Sequence, residues 1–168
     1  MGYTLGQLTK ELHAVLSERS ESEASAELCD IVSKALKDDA FVAEHLPDRA
    51  EGEHPRAVLY EDPDLGFCGC GHVYSDAAES GPHDHGSSWA VYGQAAGETE
   101  MTDWAVVDPG GDGPIRVEPQ RVYTLARGDC YFYGVGHVHS PKRVAPTRLI
   151  RVEGANLDHI KRSNIVAA

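Results

Sequence analysis

Between Ser80 and Gly97 the chain reads S-G-P-H-D-H-G-S-S-W-A-V-Y-G-Q-A-A-G, which places His83 and His85 two positions apart beside a Pro and a Gly that bend the backbone. In an extended strand, side chains two apart point the same way, so both imidazoles can reach one ion. A second stretch, G-V-G-H-V-H-S from Gly134 to Ser140, follows about fifty residues later and can supply a further ligand if a sheet folds back beside the first. Three imidazoles around one point make a metal site with open positions, which is what a catalytic metal needs.

Elements must exist to carry those histidines. From Thr4 to Arg19 the apolar residues Leu5, Leu8, Leu12, Val15 and Leu16 recur at three- and four-residue intervals, the period of a helix that Thr4 can cap. A second periodic run holds Leu28, Ile31, Val32, Ala35 and Leu36, and a short third one, Phe41 to Leu46, stops before Pro47. After a polar linker, Asp48 to His54, the pattern changes to short β-rich runs. They are Ala57 to Tyr60, Phe67 to Tyr74, Trp89 to Ala95, Thr99 to Val107, Ile115 to Thr124, Asp129 to Tyr133, His137 to Val144 and Thr147 to Val152. The turn D-P-G-G-D-G-P from Asp108 to Pro114 is the loudest break among them. Many short strands without intervening helices predict an antiparallel sandwich or barrel. The expected organisation is a helical segment over 1–50, packed on a barrel over 51–168.

Composition narrows the function classes. The 168 residues suit one domain with a real core, and 17 Gly with 9 Pro imply many turns. The formal charge of −12 comes without any Lys/Arg cluster, which argues against a nucleic-acid or anionic-membrane partner. No basic head followed by an apolar stretch opens the chain, and no run approaches a membrane span. The expectation is a soluble cytoplasmic protein. Four cysteines, Cys29, Cys68, Cys70 and Cys130, are too few and too scattered for a disulfide framework.

The histidine stretches resemble the two motifs of the cupins, small jelly-roll barrels that hold a metal inside the mouth. His83 and His85 match the His-x-His of the first motif, with Gly97 as its closing glycine; the acidic ligand of that motif would fall near Trp89 or Ala90 and is missing. The second motif maps onto Gly128, Gly134 in the place of a proline, Gly136 and His139. By that resemblance His139 is the third ligand. His137 is its rival through a register slip, or otherwise a neighbour supporting the ligands.

A cupin with three His and no Glu resembles the cysteine dioxygenase-like thiol dioxygenases, iron(II) enzymes that add both atoms of O2 to a thiol sulfur. The likeness extends to P-R-A-V-L-Y-E-D-P from Pro55 to Pro63 and G-A-N-L from Gly154 to Leu157, and excludes the helical segment. It implies a cupin double-stranded β-helix, an iron(II) cofactor, and Arg56 as the residue that grips a substrate carboxylate. Where that family carries Ser, His and Tyr before G-A-N, this chain has Leu149, Arg151 and Glu153; the Cys that some members cross-link to the Tyr falls at Ala90. Arg151 and Glu153 are expected on the inner face, paired with each other and offering contacts to substrate. The plainer reading makes them a cross-strand pair on the outside of the barrel.

The function expected is an oxygen-dependent iron(II) dioxygenase acting on a small organic anion such as a thiol carboxylate, with O2 and that anion as its partners. Zinc, manganese or nickel remain alternative metals, because imidazole accepts them all. Another three-His cupin enzyme (a carbon–carbon cleaving oxygenase, hydrolase or isomerase) and a non-catalytic binding cupin are the competing classes. Tyr92 and Tyr131 are candidates to line the pocket, although strand aromatics are core by default. Cys68, Cys70, His72 and Tyr74 share one face of their strand, either as small thiols packed inward or as a C-x-C for a soft metal.

Overall fold

The computed structural model describes residues 2–168. Helix α1 (Leu5–Glu18) starts where the sequence offers a cap: the Thr4 hydroxyl accepts from the Gln7 backbone N–H, and the Gln7 side chain accepts from the Thr4 N–H. That reciprocal pair satisfies two donors that a helix start leaves orphaned. Helix α2 (Ser25–Lys37) follows, and α3 (Asp39–His45) is capped by Asp38, which accepts from the backbone N–H groups of Ala40 and Phe41.

Ten strands come next: β1 (Arg56–Glu61), β2 (Cys68–Tyr74), β3 (Ala78–Glu79), β4 (Ala90–Ala96), β5 (Thr99–Asp108), β6 (Ile115–Leu125), β7 (Cys130–Tyr133), β8 (His139–Arg143), β9 (Thr147–Glu153) and β10 (Ile165–Ala167). They form two five-stranded sheets, in the orders β1-β2-β9-β4-β7 and β10-β6-β5-β8-β3. Two features depart from the sequence expectation. The sheets are not wholly antiparallel, because β10 joins β6 in parallel, and neither β3 nor β10 was foreseen. Strands of two and three residues are too short to show an alternation; they form where longer neighbours present an open edge.

The helices cover the outer face of the first sheet. Leu8, Leu12, Leu28, Ile31, Val32 and Leu36 are buried in one cluster with Val91, Ile150 and Val152 of β4 and β9. Burying each such side chain contributes about 1.5–3 kcal/mol. Two glycines let the helical layer come close: a Cβ at Gly93 would stand 2.8 Å from both Leu36 and Val32, and one at Gly71 would stand 2.6 Å from Leu46.

Alternation sends the other set of side chains inward. In register across β2, β9 and β4 lie Cys68, Glu153 and Ala90; then Cys70, Arg151 and Tyr92; then His72, Leu149 and Gln94. Ala90 and Tyr92 pack there with Met101 and Leu125 of the opposite sheet. The barrel interior is therefore apolar toward β5 and polar along β9, and this polar side adjoins the histidines.

Candidate metal centre

His83 lies in the loop before β4 and is tied to the first residue of β8 by an isolated bridge: His83 and His139 exchange two backbone hydrogen bonds, each 3.0 Å. The bridge joins segments 56 residues apart in sequence and sets their side chains beside one another. His85 follows on the same side. One ring nitrogen from each of His83, His85 and His139 lies within 4.8 Å of the others, a spacing that one ion can span.

Which nitrogens face inward follows from the partners of the others. His83 Nδ1 donates to the Gly81 carbonyl at 2.9 Å, and His139 Nδ1 donates to the His137 carbonyl at 3.2 Å. A carbonyl can only accept, so both rings carry their proton on Nδ1 and leave a lone pair on Nε2. His85 Nε2 points to the same place, 2.9 Å from the Tyr92 hydroxyl, while its buried Nδ1 has no partner among the described residues. Burial keeps all three neutral: it pushes His83 down to about 4 and His85 down to about 3, with the Arg151 charge adding to the effect at both, and it takes His139 well below the ordinary value. Neutral imidazole is the form that ligates metal, so this donor set fits a divalent ion at neutral pH.

His137 stands one step back. Its Nε2 meets Asp103 Oδ1 at 3.0 Å, and its backbone carbonyl holds His139. Asp103 in turn accepts two hydrogen bonds from Arg121 and one from the Tyr123 hydroxyl. Tyr131 joins this belt through Arg121 and sets its ring edge-on to His137 at 6.3 Å. The Tyr133 ring lies 4.2 Å, centre to centre, from that of His139 and fixes its plane.

Arg151 and Glu153 are both inside, 7% and 0% exposed. They are not paired with each other. Glu153 Oε2 instead accepts from Arg56 Nη2 at 2.9 Å, and Arg56 also donates to Asn156 at 3.0 Å and to Asp158 at 2.7 Å. The reason is reach: Arg56 at the head of β1 points over β2 toward the end of β9, whereas Arg151 turns its guanidinium onto the Tyr92 ring, 4.0 Å from its centre. The Arg56 fork is thus filled by the protein's own acceptors. It lines a cleft of about 300 Å³ together with His72, Tyr74, Glu153 and Arg162.

Residues that sequence reasoning passed over also lie here. Arg143, only 3% exposed, stacks on Tyr74 at 4.4 Å and leaves Nε and Nη2 without partners among the described residues. Burial first, and the Arg151 charge second, push its guanidinium down to about 10, which still leaves it charged at neutral pH. In the structure β8 buries Arg143 along with His139 and Pro141, but in the sequence an Arg near a strand end reads as solvated rim. Cys68 and Cys70 sit with sulfurs 3.4 Å apart, and Cys70 lies 3.7 Å from Glu153, a grouping that could also hold a cation were Glu153 not bound to Arg56.

The two facing five-stranded sheets match the fold of solved structures. A Klebsiella pneumoniae protein with a double-stranded β-helix domain superposes with a TM-score of 0.50 over 74% of this chain and 88% of its own, at 18% identity. The chain has the cupin fold. Lesser likenesses are the cupin domain of Schizosaccharomyces pombe Cnp3 (TM-score 0.46, 14% identity, 60% of each chain) and KdgF from Halomonas (0.47, 16%, 65% of this chain and 86% of that one). The chain thus spans less than two thirds of the Cnp3 cupin domain. No family model and no curated protein matches the sequence. Among the described residues, no helix is long and apolar enough to cross a membrane.

Proposed function

We propose that this cupin is an iron(II)-dependent dioxygenase acting on a small organic anion, with thiol carboxylates as the substrate class. The observation that supports this reading above all is the convergence of His83, His85 and His139 as three neutral donors, with no carboxylate among them. A neutral donor set leaves the ion its full charge and more than one free position. Bound there, iron(II) supplies adjacent sites for substrate and oxygen.

The chain's own residues account for the anion. Arg151 puts a buried cation beside all three histidines, while the buried carboxylates nearby are already engaged: Glu153 by Arg56, Asp84 by Ser163 and Asp103 by Arg121. Unpaired buried charge is costly, and an anionic ligand is what relieves it. His137 and Tyr131 hold the ligands from behind.

The test is an oxygen-electrode screen of anaerobically iron-loaded protein against small thiol carboxylates and their sulfur-free analogues. Thiol-dependent oxygen uptake with iron, and none with zinc, is the expected result. Turnover only with zinc or manganese would place the protein in another class of metal enzyme, and no turnover with any metal would make it a binding protein.

A further inference from the structure

The position where a cupin of this motif carries an acidic ligand falls near Ala90, whose side chain is too short to reach anything. Glu153 stands directly opposite Ala90 in register but is bound to Arg56. The next inward-facing residue of β4 is Tyr92. It is fully buried, and its hydroxyl lies 2.9 Å from His85 Nε2 and 3.2 Å from His139 Nε2.

Two features of that hydroxyl stand out. A single phenol proton can serve only one of the two nitrogens, and His139 Nε2 is already fixed as a lone pair by its Nδ1–H bond to a carbonyl. Without an ion the set is satisfied only if His85 Nε2–H donates to the phenol and the phenol donates to His139. Once both Nε2 atoms give their lone pairs to an ion, the phenol hydroxyl loses both hydrogen-bond partners in a buried place, where an unpaired polar atom costs about 1–3 kcal/mol. The distances supply the second feature: donors at right angles on bonds of about 2.1 Å stand about 3.0 Å apart, and Tyr92 keeps that spacing to both nitrogens.

We propose that Tyr92 is the fourth protein ligand of this centre, its phenolic oxygen occupying the place of the missing carboxylate, so that the site binds ferric iron as three histidines and one tyrosinate. The inference rests on the metal-binding reading above. As the iron–oxygen bond forms, the phenol proton leaves to solvent, and no oxidant is involved when the metal is supplied as iron(III). Burial opposes negative charge on this oxygen; the Arg151 guanidinium over the Tyr92 ring offsets part of that cost, and the ferric ion itself would offset the rest. Because a tyrosine reaches further than a glutamate, the ligand can come from a position one pleat farther along the strand, which is why the family motif does not show it.

The experiment loads full-length protein with iron(III) and records the visible phenolate-to-iron charge-transfer band, with resonance Raman for coordinated tyrosinate modes. Wild type and Tyr133→Phe should show both signatures, whereas Tyr92→Phe, which keeps the ring and its packing, should lose both while still binding iron. Tyr133→Phe keeps the ring that packs on His139 and removes only a hydroxyl that pairs with Tyr123, so it controls for loss of a neighbouring phenol. Iron bound by wild type without the band, or a band that survives in Tyr92→Phe, overturns the Tyr92 assignment and leaves the three-histidine reading standing. Absence of iron(III) from wild type overturns the Tyr92 assignment, and absence of iron(II) as well overturns the three-histidine reading.

Discussion

Arg56 donates to Glu153 at 2.9 Å although 97 residues separate them, and this contact decides what each can do. Glu153 is fully buried, with its other oxygen unpartnered among the described residues, and Arg56 is the cation that makes its burial tolerable. Removing one member of a buried pair strands the other, at a cost of about 3–5 kcal/mol. Arg56→Met should therefore lower the urea midpoint strongly, and Glu153→Gln should lower it less, because Arg56 keeps Asp158 and Asn156. An unchanged midpoint in Arg56→Met would assign that residue to substrate rather than to stability.

Under the proposed function the substrate carboxylate falls to Arg151, the buried cation whose charge reaches all three histidines. Arg151→Gln should raise KM for an anionic substrate by about tenfold, the equivalent of about 1.4 kcal/mol, and leave its neutral amide analogue almost unaffected. Cysteine should be a poor substrate, because its ammonium would enter a site already holding the Arg151 guanidinium, which has no carboxylate partner among the described residues. Efficient cysteine oxidation by wild type would contradict this arrangement of charge.

His72 gives a pH dependence. Both of its ring nitrogens are buried without partners, and burial first, then the charges of Arg151, Arg56 and Arg143, hold its pKa well below the ordinary value. The unfolded chain takes up a proton near pH 6.5 while the folded protein does not, so stability is fully present above that pH and falls as the pH drops below it. The slope from one such group is at most about 1.4 kcal/mol per pH unit. Urea titrations of metal-free protein between pH 7 and 5 should show a smaller loss for His72→Gln than for wild type; equal slopes would mean that His72 is protonated in the fold.

The helical layer should be inseparable from the barrel. Leu36 is fully buried against Gly93, and Leu36→Ala should cost about 2–5 kcal/mol in thermal or urea unfolding. A fragment beginning at Glu51 would expose Val91, Ile150 and Val152 and should be insoluble or markedly less stable. Equal stability of that fragment would show that the helices contribute nothing to the barrel.

Much of this was legible in the sequence. Thr4, the periodic leucines and the alternating strands are local signals, and the elements formed within a residue or two of where those signals lie. The cluster of His83, His85 and His139 was legible through the resemblance to the two cupin motifs; the strand expected to carry His83 and His85 is instead a loop tied to β8 by a single bridge at His83. What stayed hidden depends on partners distant in the chain. Nothing local tells Glu153 to bind Arg56 instead of its near neighbour Arg151, since both are basic and within plausible reach. The parallel docking of Ile165–Ala167 on β6 depends on an edge left free by other strands. Arg143 looks like a surface residue until Tyr74 and the opposite sheet are in place to bury it.

The most direct measurement of the central claim is anaerobic iron(II) binding, by equilibrium dialysis with metal analysis, for wild type and single alanine variants of His83, His85, His137 and His139. One iron per chain is expected in wild type and in His137→Ala, because His137 acts only through its carbonyl and Asp103. Binding should weaken by orders of magnitude in the other three, since a site with this few ligands cannot spare one. Full occupancy in His139→Ala with loss in His137→Ala, or no stoichiometric metal in wild type, would contradict the account.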